Sequence, residues 1–416
     1  MNAAVLNCLV WLFILVPAFV LSRPSPSMAQ DQIIDLLKRQ MAEMQGTMKK
    51  MAERLEQLEK ERASANGKMA TVEQSVKTMQ SAPSALNPAI GMAIDMTAEH
   101  RAKAGGTFNF RSAEIGISAS IDPYARAYAF FTGSGEGVEV EEAAIVTTSL
   151  PWNLQARAGR FFADFGRLAK LHPHEYAFVN TPLSLERTVG GESQADGVEL
   201  SYLFPTPFFL RGTMGGYNKI GAENERIDNS KSRAWSRFTY LGRLQTYFDL
   251  SDNHSIELGS SLAFTPSVRI PSDPQGGNRT LSGVDLTYRY QPLGSTLYQG
   301  FTMGAEFFGN SERVERASGF RRMFAPGGFA YGEAKINREW AAGFLYDNAP
   351  SLTSPGKKTI GYSPFITWNL SEFNRLRFQY SYLDDNVRED KSERGNQFFL
   401  QWTTVLGSHS HGFRTR

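Results

Sequence analysis

The sequence predicts an all-β transmembrane barrel of about 16 antiparallel strands, preceded by an α-helical coiled coil. From Asn87 to Arg416, segment after segment alternates apolar with small or polar residues at period two. The connections between those segments alternate short with long. Ahead of them, apolar residues recur at spacings of three and four without a slip of register.

Composition narrows the class. The 416 residues carry 44 Lys plus Arg against 42 Asp plus Glu, a net charge of +2 that gives no reason to expect nucleic acid. Abundant Gly (37), Phe (29) and Tyr (15) accompany a polar mean hydropathy of −0.33. A polytopic helical membrane protein is excluded, because each crossing helix needs ~20 consecutive apolar residues. The single cysteine, Cys8, lies in the apolar N-terminal stretch, so its cleavage leaves no disulfide, thiolate site or Cys nucleophile.

Residues 1–29 read as a secretory signal: Ala3 to Leu21 form the only long apolar run, and Ser27-Met28-Ala29 is a small-x-small cleavage site. The stretch before that run has no Lys or Arg, and the alternative is an uncleaved anchor. Residues 30–82 read as a periplasmic coiled-coil stalk. Ile34, Leu37, Met41, Met44, Met48, Met51, Leu55 and Leu58 begin a heptad seam that continues through Met79, with Arg62 its one charged core position. Such a helix is ~70 Å long. Arg54 with Glu59 and Lys68 with Glu73 favour a parallel arrangement, hence self-association. Ser81-Ala82-Pro83-Ser84 ends the helix.

Residues 83–416 hold the barrel. Sixteen segments are expected near 88–97, 113–121, 124–132, 138–148, 153–162, 197–203, 208–217, 235–249, 254–265, 280–290, 296–308, 327–336, 340–347, 358–369, 375–384 and 396–406. Even connections are short, such as Asp122-Pro123 and Asn337-Arg338-Glu339; the third, near Ala163 to Asp196, is the longest. Short periplasmic turns against longer external loops is the barrel pattern, and an even count places both ends in the periplasm. A soluble β-sandwich also alternates, but aromatics bracket many of these strands and the chain ends on one of them.

The stretch Ala158 to Ser193, with Asn87-Pro88-Ala89-Ile90-Gly91, Tyr202 to Leu210 and Val405 to Phe413, resembles a family of proteobacterial outer-membrane porin-like proteins. These are often labelled zinc-regulated TonB-dependent outer-membrane receptors and are distantly similar to phosphate-selective porins. A TonB-dependent receptor fills a larger barrel with an N-terminal plug, whereas here a coiled coil stands in that place. That combination is similar to sugar porins with an N-terminal coiled-coil extension, so the resemblance implies a pore rather than a receptor. Sixteen-strand porins commonly gather three barrels and a parallel stalk gives their N-termini a shared axis, so a homotrimer in the outer-membrane bilayer is expected, with peptidoglycan tethering through the rod as a second role.

Alternation assigns Asp95, Glu114, Arg126, Arg157, Arg211, Arg237, Arg243, Glu257, Asp285, Arg289, Glu306, Arg375 and Arg377 to the pore lining. The two signs nearly balance, so strong charge selectivity is not expected. Inward glycines such as Gly259 and Gly304 are expected to leave room in the lumen. His172-Pro173-His174, flanked by Asp164 and Glu186, could hold a divalent ion if other ligands converge; histidines in a loop more commonly cap or pack it. His409 and His411 pose the same question at the C-terminus. The long third loop is the candidate to fold inward and narrow the pore. No Walker motif, His-Glu-x-x-His or nucleophile elbow occurs, so neither an enzyme nor a cofactor is expected. The expected function is an outer-membrane passive pore for small hydrophilic solutes or ions, with zinc capture or envelope tethering as alternatives.

Overall fold

The computed structural model describes residues 88–221, 234–270, 273–292, 298–316, 319–352, 354, 356–387 and 394–407. The expected signal and coiled coil, and His409 and His411, lie outside the described residues. Sixteen antiparallel strands pair each with its sequence neighbour, and the first pairs with the last to close a barrel. In order they are β1 (Ala89–Arg101), β2 (Gly105–Ser120), β3 (Ala125–Ser134), β4 (Gly137–Thr147), β5 (Leu154–Phe162), β6 (Gln194–Leu203), β7 (Phe209–Tyr217) and β8 (Thr239–Ser251). The second half comprises β9 (His254–Ile270), β10 (Asp273–Tyr290), β11 (Gly300–Arg316), β12 (Gly319–Lys335), β13 (Trp340–Pro350), β14 (Lys358–Asn369), β15 (Asn374–Asp385) and β16 (Gly395–Gly407).

The polarity of this barrel is the reverse of a soluble one. On β16, Gln401 is 0% exposed and Thr403 3%, while their neighbours Leu400 and Trp402 are 48% and 46% exposed. On β9, Glu257 and Ser261 are buried and Leu258 and Leu262 exposed. Apolar side chains outward and polar ones inward suit a wall with lipid on one side and water on the other. Exposed aromatics mark both ends: Trp152, Phe204, Trp340, Trp368 and Trp402 near the short turns, Phe110, Tyr240, Tyr346, Tyr362 and Phe398 toward the long loops. Trp340 and Trp368, paired in register, stack with centroids 5.6 Å apart.

The short turns are built by side chains that imitate backbone. Asp122 accepts from the Tyr124 and Ala125 amides at 2.8 Å, and Asn337 from those of Glu339 and Trp340 at 2.9 and 2.8 Å. Between β4 and β5, Trp152 and Asn153 both adopt positive φ (58° and 55°), as a tight hairpin turn of primed type requires.

Each of the sixteen expected segments corresponds to a strand, and the differences lie at the ends. Strands β9 to β12 run 17 or 18 residues, well beyond the ~10 that cross a bilayer. Beyond the lipid both strand faces meet polar surroundings, so the period-two signal fades there. The segment expected from 235 begins with a 3-10 turn at Trp235–Arg237, and β8 starts only at Thr239. Two bulges were also invisible to strict alternation. Opposite Asp95/Met96 on β1 the register shifts and Arg111 becomes the extra residue; opposite Phe130/Phe131 on β3, the extra residue of β4 is Glu141.

Candidate functional site

The link from β5 to β6 does not stay outside: it folds into the barrel and occupies its interior. Phe165, Phe178, Leu185 and Val189 are 0% exposed in the middle of what a hollow barrel would leave as water. Residues 163–193 leave and rejoin the wall at a hydrogen-bonded neck, where the Ala163 amide donates to the Ser193 carbonyl at 2.9 Å and the Ser193 amide to the Ala169 carbonyl at 2.8 Å. The loop carries 3-10 turns at Leu168–Lys170 and Pro173–Glu175 and a helix, α1 (Leu183–Val189), stopped by Gly190 in the left-handed conformation (φ 93°).

Inward side chains of the wall hold this loop from all round. Glu306 on β11 accepts from the Arg167 and Leu168 amides at 3.1 and 2.5 Å, capping the first turn. Gly166 sits beside it with φ 62°, and a β-carbon there would lie 2.5 Å from the Glu306 carboxylate. On β13, Asp347 accepts from the Ser184 amide at the start of α1. Arg377 on β15, 2% exposed, donates to the Phe178 carbonyl, Gln401 and Thr367 at 3.0–3.1 Å. Arg375 donates to the His174 carbonyl, and Arg279 on β10 to that of Thr188. Apolar contacts complete the seat: Phe165 stacks on Phe308, and Phe178 meets Tyr331 edge-on.

Twelve of the thirteen pore-lining candidates therefore face inward, and several serve the loop rather than open water. Asp95, at the β1–β16 closure, accepts from Gln401 and Thr403 and pairs with Arg111 at 3.4 Å. Arg243 and Asp285 form a two-pronged pair at 2.6 and 2.9 Å. Glu257 takes Gln245, Arg289 and the loop's Arg167, and Arg157 pairs with Glu199. Arg211 reaches Gln245 and Asp164, while Arg126 lies half-buried near the short-turn end of β3. Arg237 is the correction: it lies exposed on the 3-10 turn before β8, where strand alternation does not operate. The inward glycines do not simply leave free lumen either. The space beside Gly259 holds the Arg243–Asp285 pair, and that beside Gly304 holds the Tyr331 ring.

Between loop and wall a cavity of about 770 Å³ reaches the short-turn end of the barrel, where Gln155, Ser255 and Gln291 line it. Its charged lining is mixed: Arg157, Arg167, Lys170, Arg211 and Arg289 face Glu142, Asp164, Glu199 and Glu257. Burial alone would raise the Asp164 carboxyl, but Lys170, Arg243 and Arg211 outweigh it and hold it well below the usual carboxylate range. Burial lowers Lys170 from 10.5 despite its partner Asp164. A depressed carboxyl contributes stability that is present above its unfolded value and lost only as pH falls through the folded one. Asp164 should accordingly stay ionised at pH 4 and keep the loop seated. The check is pepsin digestion at pH 4, where the loop should resist; cleavage beside Phe165 or Leu168 would contradict it.

On the other side of the loop, His172 and His174 are buried against β2 and β4 (0% and 4% exposed) rather than displayed outside. The carboxylates that meet them are not Asp164 and Glu186. His172 Nδ1 lies 2.8 Å from Glu141 Oε1 and 3.6 Å from Glu114 Oε1, while its Nε2 faces Glu142 at 3.8 Å; His174 Nδ1 lies 3.1 Å from Glu114 Oε1. Burial disfavours the charged imidazole, but Glu114 and Glu141 outweigh it and hold His172 well above its ordinary value. Burial pushes Glu192 up to about 8, helped by Glu141 and Glu114 and opposed by His172.

The sequence reading missed Glu141 and Glu142, both buried by the bulge that turns consecutive residues inward, and Arg111, turned inward by the other bulge. The outward apolar residues do carry the signal. Val138 and Val140 point out at even positions but Ile145 at an odd one, and Phe108 and Phe110 are likewise followed by Ile115. A parity switch inside one strand requires a bulge.

No protein-family model matches the chain. An uncharacterized protein of Aquifex aeolicus (strain VF5) is 30% identical over 338 residues, which span 74% of this chain and 70% of that protein. This chain belongs to the same family. In three dimensions this chain's barrel is similar to a loop-deletion form of OmpT, an outer-membrane protein of Vibrio cholerae (TM-score 0.54, 11% identity, covering 77% of this chain and 99% of that one). It is similar also to the outer-membrane channel DcaP of Acinetobacter baumannii (0.54, 9%, 77% and 97%) and to Salmonella typhi OmpF (0.51, 10%, 77% and 97%). At those identities the likeness is one of fold, and the fold is that of outer-membrane β-barrels.

Proposed function

We propose that the chain is an outer-membrane pore, a passive diffusion channel for small hydrophilic solutes or ions, narrowed by residues 163–193. The observation that carries this reading is the reversed polarity of the closed barrel, polar within and apolar without. The likeness in fold to DcaP, an outer-membrane channel, supports it. The nearly balanced charges around the cavity favour weak selectivity between cations and anions. The pore acts without catalysis.

The same reading includes removal of residues 1–29 and a parallel coiled coil over 30–82 on the periplasmic side. It also includes three barrels per assembly, as in the trimer form described for Vibrio cholerae OmpT. Purified protein in liposomes tests the function by swelling rates in isosmotic sugars and amino acids. Uptake that falls steeply with solute size is expected; impermeability to the smallest solutes, with the barrel folded and heat-modifiable, would contradict a pore. Deleting residues 31–80 should weaken trimer association in cross-linking while leaving a folded barrel.

A further inference from the structure

The pairing of His172-x-His174 with glutamates from two separate strands serves neither conduction nor barrel closure. We propose that it is a binding site for a divalent transition-metal ion, best matched by zinc, held by His172 of the inner loop and Glu114 and Glu141 of the wall, with His174 beside Glu114. The ion would clamp the loop to β2 and β4.

Geometry is the first support. Ligand atoms 2.0–2.2 Å from a tetrahedral ion lie about 3.3 Å from one another. The separations here are 2.8 Å (His172 Nδ1 to Glu141 Oε1), 3.1 Å (His174 Nδ1 to Glu114 Oε1) and 3.6 Å (His172 Nδ1 to Glu114 Oε1). One ligand atom each from Glu114, Glu141 and His172 lies within 4.8 Å of the other two. These donors come from three distant parts of the chain and converge because of the β4 bulge, which brings Glu141 to the inner face beside Glu142.

The surroundings are the second support. His172 turns Nδ1 toward Glu141 and Glu114 and Nε2 toward Glu142, the arrangement in which an outer carboxylate orients a metal-bound imidazole. Glu142 is positioned by the Tyr128 hydroxyl at 3.2 Å, and Glu141 accepts from Thr132. The Phe162 ring packs edge-on against His172 with centroids 4.7 Å apart, adding to the cover over the site. Charge is the third. Two buried carboxylates balance one divalent ion, and Glu142 beside them adds a further buried carboxyl facing His172. An imidazole donor beside two carboxylates suits zinc and works against magnesium or calcium, which take oxygen ligands.

The inference stands whether or not the barrel conducts. The test uses full-length protein in detergent without an affinity tag, stripped with chelator, exposed to Zn²⁺, gel-filtered and subjected to elemental analysis. About one zinc per chain should be retained in the presence of excess Mg²⁺ and Ca²⁺. Outer-sphere partners alone typically change metal affinity by about 10–100-fold, and His172→Gln or Glu141→Gln should lower it by at least that much. X-ray absorption of the zinc-loaded wild type should show nitrogen and oxygen at about 2.0 Å with imidazole scattering, a readout that holds even if a variant fails to fold. Substoichiometric zinc in the wild type, equal retention by folded variants, or a zinc shell without imidazole would each overturn the site and leave the cluster as a proton-bridged ion pair.

Discussion

Replacing residues 164–192 by a short turn is expected to raise single-channel conductance several-fold. The neck makes the replacement feasible, since Ala163 and Ser193 are already hydrogen-bonded across it. The barrel should survive, because the sixteen strands pair with one another and not through the loop. Removing Phe165, Phe178, Leu185 and Val189 takes out the apolar mass at the centre of the lumen. Asp347, Glu306 and Arg377 would exchange loop partners for water, which solvates a charge well once the lumen is open. A loop-shortened barrel that folds, shows heat-modifiability and conducts no better than the wild type would mean that the loop does not control the passage.

The second large effect is expected at Glu306. Its carboxylate satisfies the Arg167 and Leu168 amides where the loop enters its first turn, at a place where water has little access. Leaving buried donors unmatched costs about 1–3 kcal/mol each, so Glu306→Ala should loosen this segment while the strands stay paired. Glu306→Gln keeps one carbonyl acceptor and should fall between the two. Trypsin supplies the readout, because Arg167 and Lys170 lie within the released segment. Cleavage at those sites in Glu306→Ala, resistance in the wild type and fragments identified by mass spectrometry are expected; equal resistance in both would show that the loop is held without this carboxylate.

The strands were legible because lipid on one side and polar contents on the other impose period two, and because Asp122, Asn337 and Ser371 mark the short turns by their own hydrogen bonds. The site was legible in part. Alternation placed Asp95, Glu114, Arg243, Glu257, Asp285, Glu306 and Arg377 on the inner face, and the length of the third connection pointed to an inward loop. What alternation could not give was pairing. Arg377 meets Phe178 and Glu257 meets Arg167 only because the loop crosses the lumen, and no local pattern records that path. Glu141 and Arg111 escaped because a bulge resets parity within a strand, and Arg237 was placed inside by extending a strand through a 3-10 turn.

Single-channel current across a planar bilayer bears most directly on a water-filled lumen. Purified wild-type protein should give stepwise, ohmic currents, with a reversal potential close to zero in a salt gradient because the lining charges nearly balance. Folded, heat-modifiable barrels that insert into the bilayer and pass no current, in both the wild type and the loop-shortened form, would contradict a pore.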